Sequence, residues 1–112
     1  MDNYINKLQN NDSTLKEIYF DDETKNIDDT YIYKFGEALK NNVTLKSLYL
    51  YKCIISEYGM NLIFDALKIN TTLKFLSITY ININQNSIVT LSETLKINTT
   101  LQNLQMFENS IG

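Results

Sequence analysis

Few of the side chains could do chemistry. The chain contains no histidine, which removes the ordinary general base near neutral pH and any Ser-His-Asp or Cys-His arrangement. Its one cysteine, Cys53, reads either as a structural side chain or as a reactive thiol, and it has no partner for an internal disulfide. Gly36, Gly59 and Gly112 are too scattered to form a phosphate-cradling loop. Carboxylates cluster at Glu17, Asp21, Asp22, Glu23, Asp28 and Asp29. A calcium loop sets its many oxygen ligands around a glycine turn, which this run lacks. It reads first as a solvated acidic loop, then as a surface for a basic partner, and only third as a metal site. No enzyme activity, cofactor or metal is expected.

Bulk properties narrow the classes further. The 112 residues carry a net charge of −3, and all ten basic residues are lysines. That balance argues against non-specific nucleic-acid binding, which needs a basic face to displace counterions. No apolar run approaches the roughly 18 residues of a spanning helix. The opening Met1-Asp2-Asn3-Tyr4-Ile5 lacks the build of a signal peptide. Nothing asks for an oxidising compartment, and a cytoplasmic location is expected. The apolar content of 44% is ordinary for a folded domain.

The strongest organising signal is a phrase that occurs four times: Asn11-Asp12-Ser13-Thr14-Leu15, Asn42-Val43-Thr44-Leu45, Asn70-Thr71-Thr72-Leu73 and Asn98-Thr99-Thr100-Leu101. Its leucines stand 30, 28 and 28 residues apart. After each comes an alternating stretch, as in Leu45-x-x-Leu48-x-Leu50 and Leu73-x-x-Leu76-x-Ile78, which is the period of a strand. Apolar residues three and four apart follow, as at Leu62, Ile63, Ala66 and Leu67 or Ile88, Leu91 and Leu95, which is the period of a helix. Neither half can bury its apolar face alone, so units of this kind must stack. The reading is one domain over 1–112, with a partial helix at 1–10, repeats at about 11–41, 42–69 and 70–97, and a truncated repeat at 98–112. The four Asn-x-Ser/Thr triplets at Asn11, Asn42, Asn70 and Asn98 would be glycosylation acceptors in a secreted protein. All four fall in the helix-to-strand turn, where Asn and Thr suit turn and cap geometry, and repeat consensus accounts for them better.

The phrase Leu-x-x-Leu-x-Leu-x-x-(Asn/Cys)-x-Leu on a 28-residue period resembles the leucine-rich repeat, in its ribonuclease-inhibitor-like subclass. Glu108-Asn109-Ser110-Ile111-Gly112 is similar to that subclass's loop, and Ala66-Leu67-Lys68-x-Asn70 to its helix-to-strand turn. The resemblance implies a short α/β solenoid of strand–helix repeats of about 28 residues, with a parallel concave sheet and helices on the convex side. It also implies that Cys53 and Asn109 point inward and bond to loop backbone. Ile81 departs from that pattern, so the loops of repeats one and three are expected to be irregular.

The candidate site is the concave sheet. Residues flanking the core leucines are Glu17, Tyr19, Asp21 and Asp22; Ser47, Tyr49, Tyr51 and Lys52; Phe75, Ser77, Thr79 and Tyr80; Asn103, Gln105, Phe107 and Glu108. Six of these sixteen are aromatic, against 12% of the whole chain. Exposed aromatics suit protein interfaces, and they also serve as cross-strand packing partners. Tyr19, Tyr49, Tyr51, Phe75, Tyr80, Phe107, Glu17 and Asp21 are therefore the candidate partner-binding residues. The partner class is a protein or peptide, with no nucleic acid and no membrane. A structural segment of a longer receptor or scaffold is the alternative. A GTPase-activating role, suggested by the Ran GTPase-activating proteins within the subclass, is weakened by the absence of arginine. Leu104, Met106 and Ile111 are expected on an open apolar edge that invites end-to-end self-association.

Overall fold

The computed structural model describes residues 4–21, 26–107 and 109–111. A short helix α1 (Tyr4–Gln9) precedes strand β1 (Glu17–Phe20), the short strand β2 (Asn26–Ile27) and helix α2 (Asp29–Asn41). Strand β3 (Ser47–Tyr51), β4 (Ile54–Ile55) and α3 (Glu57–Leu67) repeat that order. So do β5 (Phe75–Thr79), β6 (Asn82–Ile83) and α4 (Gln85–Ile97), before β7 (Asn103–Phe107) and β8 (Ser110–Ile111). The main sheet is β1-β3-β5-β7, parallel throughout, and two short parallel ladders join β2 to β4 and β6 to β8.

The register follows the sequence period. Glu17 lies opposite Ser47, Ser47 opposite Phe75, and Phe75 opposite Asn103. Alternation along each strand then sends Ile18, Phe20, Leu48, Leu50, Leu76 and Ile78 to one face, where all are buried. The helices cover that face with Ile32, Phe35, Leu39, Met60, Ile63, Phe64, Leu67 and Leu91. At the N-terminal end Leu8 of α1 is buried, Tyr4 and Ile5 pack on the core, and Phe20 meets the rings of Tyr4, Tyr31 and Phe35 edge-on. The body measures 37 × 32 × 22 Å. Among the described residues it is a compact α/β domain with a parallel sheet and four helices, which agrees with the expected α/β class and parallel sheet.

Three long helices start on residues spaced by 28. Asp28 accepts the Tyr31 amide at 2.8 Å, Ser56 Oγ the Gly59 amide at 2.9 Å, and Asn84 Oδ1 the Ser87 amide at 2.9 Å. Each satisfies a helix-start donor that has no intrahelical partner. The caps also link neighbouring units, since Ser56 Oγ donates to Asp29 and Asn84 Nδ2 to Glu57, both at 2.5 Å.

The turns before the strands are held by buried asparagines. Asn70 Oδ1 accepts the amides of Thr72 and Leu73 at 2.9 and 2.8 Å, while its Nδ2 donates to the carbonyls of Leu39 and Asn42 at 2.7 and 3.2 Å. Asn98 repeats the pattern on Thr100, Leu101, Leu67 and Asn70. Asn42 accepts from Thr44 and Leu45 and donates to Leu8. In the first unit this place belongs to Asp12, which accepts the Thr14 amide, rather than to Asn11. Asn11 instead sits at φ 50° and accepts the Val43 amide. With Asn42 and Asn70 only 2% exposed and their amide nitrogens engaged, neither serves as a glycosylation acceptor in the folded chain.

Removing such a side chain leaves two buried carbonyls and two amides without partners. Asn70→Ala is expected to lower the unfolding free energy by about 2–4 kcal/mol in urea melts, and Asn98→Ala, at a half-buried position, by less. Losses under about 1 kcal/mol for both would show that this ladder is not structural.

Candidate functional site

Among the described residues no helix lies on the second face of the sheet. Along it the rings of the first three strands form a continuous row. Tyr19 stacks on Tyr49 with centroids 4.3 Å apart and planes 9° from parallel, and Tyr49 meets Phe75 at 5.1 Å and 45°. The parallel register sets Tyr19 directly beside Tyr49, and Phe75 lies one pleat away diagonally, within reach of an aromatic ring. Tyr19 is 47% exposed, whereas Tyr49 and Phe75 are half-buried by their neighbours. Glu17 Oε2 accepts the Tyr19 hydroxyl at 2.7 Å and so ties one acidic candidate to the row.

A second cluster sits where the strands end. Lys52 and Tyr80, 28 residues apart, both take left-handed backbone at φ 52° and 55°. For a side chain other than Gly, Asn or Asp such a conformation costs roughly 1 kcal/mol. Their amides are engaged in compensation, Lys52 N–H with Thr79 O at 3.0 Å and Tyr80 N–H with Phe107 O at 3.1 Å. This turn takes both residues out of the strand alternation expected for them. Tyr80 packs edge-on against Tyr51 at 5.7 Å, and the Lys52 ammonium lies 5.6 and 5.5 Å from the centroids of Tyr51 and Tyr80. Tyr51 thus meets Tyr80, and not Phe107, from which Thr79 separates it. The matched turns at Lys52 and Tyr80 also make the loop of the third unit regular, contrary to expectation. The loop of the first lies outside the described residues.

The remaining candidates divide. Phe107, on the last strand, is 56% exposed. Asp21 is exposed just past β1, while Asp22, Glu23 and Glu108 lie outside the described residues. Asp28 and Asp29 are occupied at helix starts. Among the described residues no group of three or more His, Cys, Asp or Glu side chains could hold a metal. Cys53 is buried and points inward, donating to Phe20 O at 2.8 Å and Tyr51 O at 3.3 Å. Asn109 does the equivalent, donating to Ile78 O at 2.8 Å and accepting the Ile81 amide at 2.9 Å. Sequence reasoning missed Lys52 as the cation of an aromatic cluster. Its 28-residue spacing from Tyr80 was the available signal. Among the described residues no helix is long and apolar enough to cross a membrane.

These features belong to a parallel-sheet α/β domain with one face open to solvent. No protein-family model matches the chain, and no curated protein does. Its fold is shared with a solved structure of leiomodin-1 actin-binding site 2, at TM-score 0.84 and 24% identity over 94% of this chain. It is shared too with the tropomodulin C-terminal domain of Caenorhabditis elegans, at TM-score 0.77 and 17% identity over 89% of this chain. The match takes in 60% of the leiomodin chain and 59% of the tropomodulin chain, so this chain spans under two thirds of either. At these identities the likeness establishes the fold. It corrects the expected membership of the ribonuclease-inhibitor-like leucine-rich-repeat family, because the structural neighbours are leiomodin and tropomodulin domains. The Leu-x-x-Leu-x-Leu phrase is what any stacked parallel strand–helix unit requires of its core, so it specifies the packing and not the family.

The hydrogen bond from Glu17, then desolvation, then the nearby charge, push the Tyr19 hydroxyl up from 10.0 to about 12. A raised folded value means that this contact stabilises fully below pH 10 and is lost as pH rises through about 12. Glu17→Gln is expected to bring the Tyr19 hydroxyl back toward the ordinary range in a spectrophotometric titration. An unchanged curve would contradict the pairing.

Proposed function

We propose that the chain is a non-catalytic protein-binding module and that its partner docks on the open face of the sheet. The observation that carries this reading is the row Tyr19–Tyr49–Phe75, three rings in mutual contact on a face that no helix covers. Such a row supplies a broad, rather rigid apolar surface, and the Tyr hydroxyls add polar tips at its edge. Glu17 and Asp21 give the β1 side a negative rim suited to a basic patch on the partner. Cross-strand packing alone accounts for the contacts between rings, but not for the solvent exposure of Phe107, Tyr19 and Tyr51.

The fold shared with leiomodin-1 actin-binding site 2 makes an actin subunit the first partner to test. The likeness supports that choice without fixing the docking face. Binding of monomeric and filamentous actin by the purified chain is expected, and Tyr49→Ala combined with Phe75→Ala is expected to weaken it about 30-fold or more, the scale of two aromatic hot spots. Circular dichroism of the double variant should remain that of a folded chain. No binding to either form would remove actin as the partner. Binding that the double variant retains in full would remove this face as the site.

A further inference from the structure

Three lysines stand side by side where the strands begin. Lys16, Lys46 and Lys74 come one place before β1, β3 and β5 respectively. The amides of Lys46 and Ser47 both reach Lys16 O, and those of Lys74 and Phe75 both reach Lys46 O, at 2.9–3.1 Å. These matching backbone contacts put the three in one register, with neighbouring parallel strands about 4.8 Å apart. Lys16 and Lys46 are exposed, and Lys74 is half-buried.

The ladder is not neutralised from within. Among the described residues the side-chain ion pairs join Lys40 to Glu37 and Lys68 to Asp65 and Glu93, all on the helical side. Glu17, next to Lys16, turns to the Tyr19 hydroxyl instead. Like charges on directly opposed strand positions destabilise a sheet. Lysines that guard against unwanted pairing belong on edge strands, whereas β3 and β5 are interior to the order β1-β3-β5-β7. The ladder therefore costs stability and protects no edge.

We infer that the open sheet face takes an acidic amphipathic helix of the partner, laid across the strands with its carboxylate edge on Lys16, Lys46 and Lys74 and its apolar stripe on the Tyr19–Tyr49–Phe75 row. This deepens the sheet-face reading and rests on it. The steps match. Two strand steps separate Lys16 from Lys74 by roughly 10 Å, and helix positions i, i+4 and i+7 span about 10.5 Å. Alternate side chains of an extended segment step about 6.7 Å and run past the ladder. A helix is also about 10 Å across, which bridges the ladder to Tyr49, three residues further along the chain than Lys46.

A nucleic acid fits this surface less well. Its phosphates would run over the whole face, including the β1 side where Glu17 and Asp21 are exposed. An amphipathic helix confines its negative charge to one edge, where the lysines stand, and turns aliphatic side chains to the rings.

The test uses a synthetic helical peptide with Glu at i, i+4 and i+7 beside a leucine stripe, and a twin with Lys at those three places, each titrated into the labelled 112-residue chain and followed by NMR. The Glu peptide is expected to give saturable shifts at the amides of Lys16, Lys46, Lys74 and Tyr49, and the Lys twin none. Combining Lys16→Gln, Lys46→Gln and Lys74→Gln should weaken the Glu peptide about tenfold, the scale of three rim ion pairs. That variant should unfold at no lower a denaturant concentration than the parent, because it loses only repulsion. Earlier unfolding would assign the lysines a structural role and overturn the inference. So would equal binding of the two peptides, no saturable shift from the Glu peptide, or undiminished binding by the triple variant. If the triple variant binds undiminished while Tyr49→Ala with Phe75→Ala abolishes binding, the ladder falls and the sheet-face reading stands. Tighter binding of a single-stranded oligonucleotide at the same amides would overturn the choice of occupant.

Discussion

The asparagine before each of β3, β5 and β7 is the interaction on which the rest depends. A turn that leads from a helix into a central strand leaves backbone amides and carbonyls inside the body, where each unpaired group costs on the order of 1–3 kcal/mol. One side-chain amide settles both sides of that problem. Asn70 accepts the two amides of its own turn and donates to two carbonyls of the preceding helix-to-strand turn. The same atoms thus close the turn and set the distance to the neighbour. Placing Leu73 opposite Leu45, and hence every strand in register, follows from that fixed step. A hydroxyl such as Ser has one donor and too short a reach, and Asp has no donor at all, so Asp12 closes its own turn without reaching back.

Register in turn creates the exposed face. Once the alternate residues of β1, β3 and β5 are aligned, Tyr19, Tyr49 and Phe75 have nowhere to go but against one another. The N-caps at Asp28, Ser56 and Asn84 seat the helices on the opposite face, so the aromatic row stays uncovered. The same aligned step brings Lys52 and Tyr80 into matching left-handed turns and puts an ammonium between two rings. The site is thus a by-product of stacking, made specific by which side chains occupy the outward positions.

Much of this was legible in the sequence because burial leaves a periodic trace. The Leu-x-Leu stretches and the Ile63–Ala66–Leu67 spacing gave strands and helices, and Cys53 and Asn109 point inward as the motif implied. What the sequence hid has a physical reason in each case. The short strands β4 and β6 contain only two residues each, too few for alternation to show. The identity of Tyr80 carries no sign of its positive φ, so its departure from the strand alternation is invisible in the sequence. Asn11 looked like its counterparts by composition, yet the place is set by counting back three from the leucine, which lands on Asp12. Ile81 fits its loop because Asn109 of the next unit supplies the backbone contact. Core spacing constrains packing and not family, because many lineages can share it.

The most direct test of the central claim is native-state hydrogen exchange at three turn amides. Those of Leu45, Leu73 and Leu101 all end on an asparagine Oδ1. The account predicts that Leu45 and Leu73, both fully buried, exchange only with opening of the whole domain, while the half-buried Leu101 exchanges faster through local opening. Rapid exchange at all three, as in an ordinary surface loop, would contradict the claim that the buried asparagines hold this fold together.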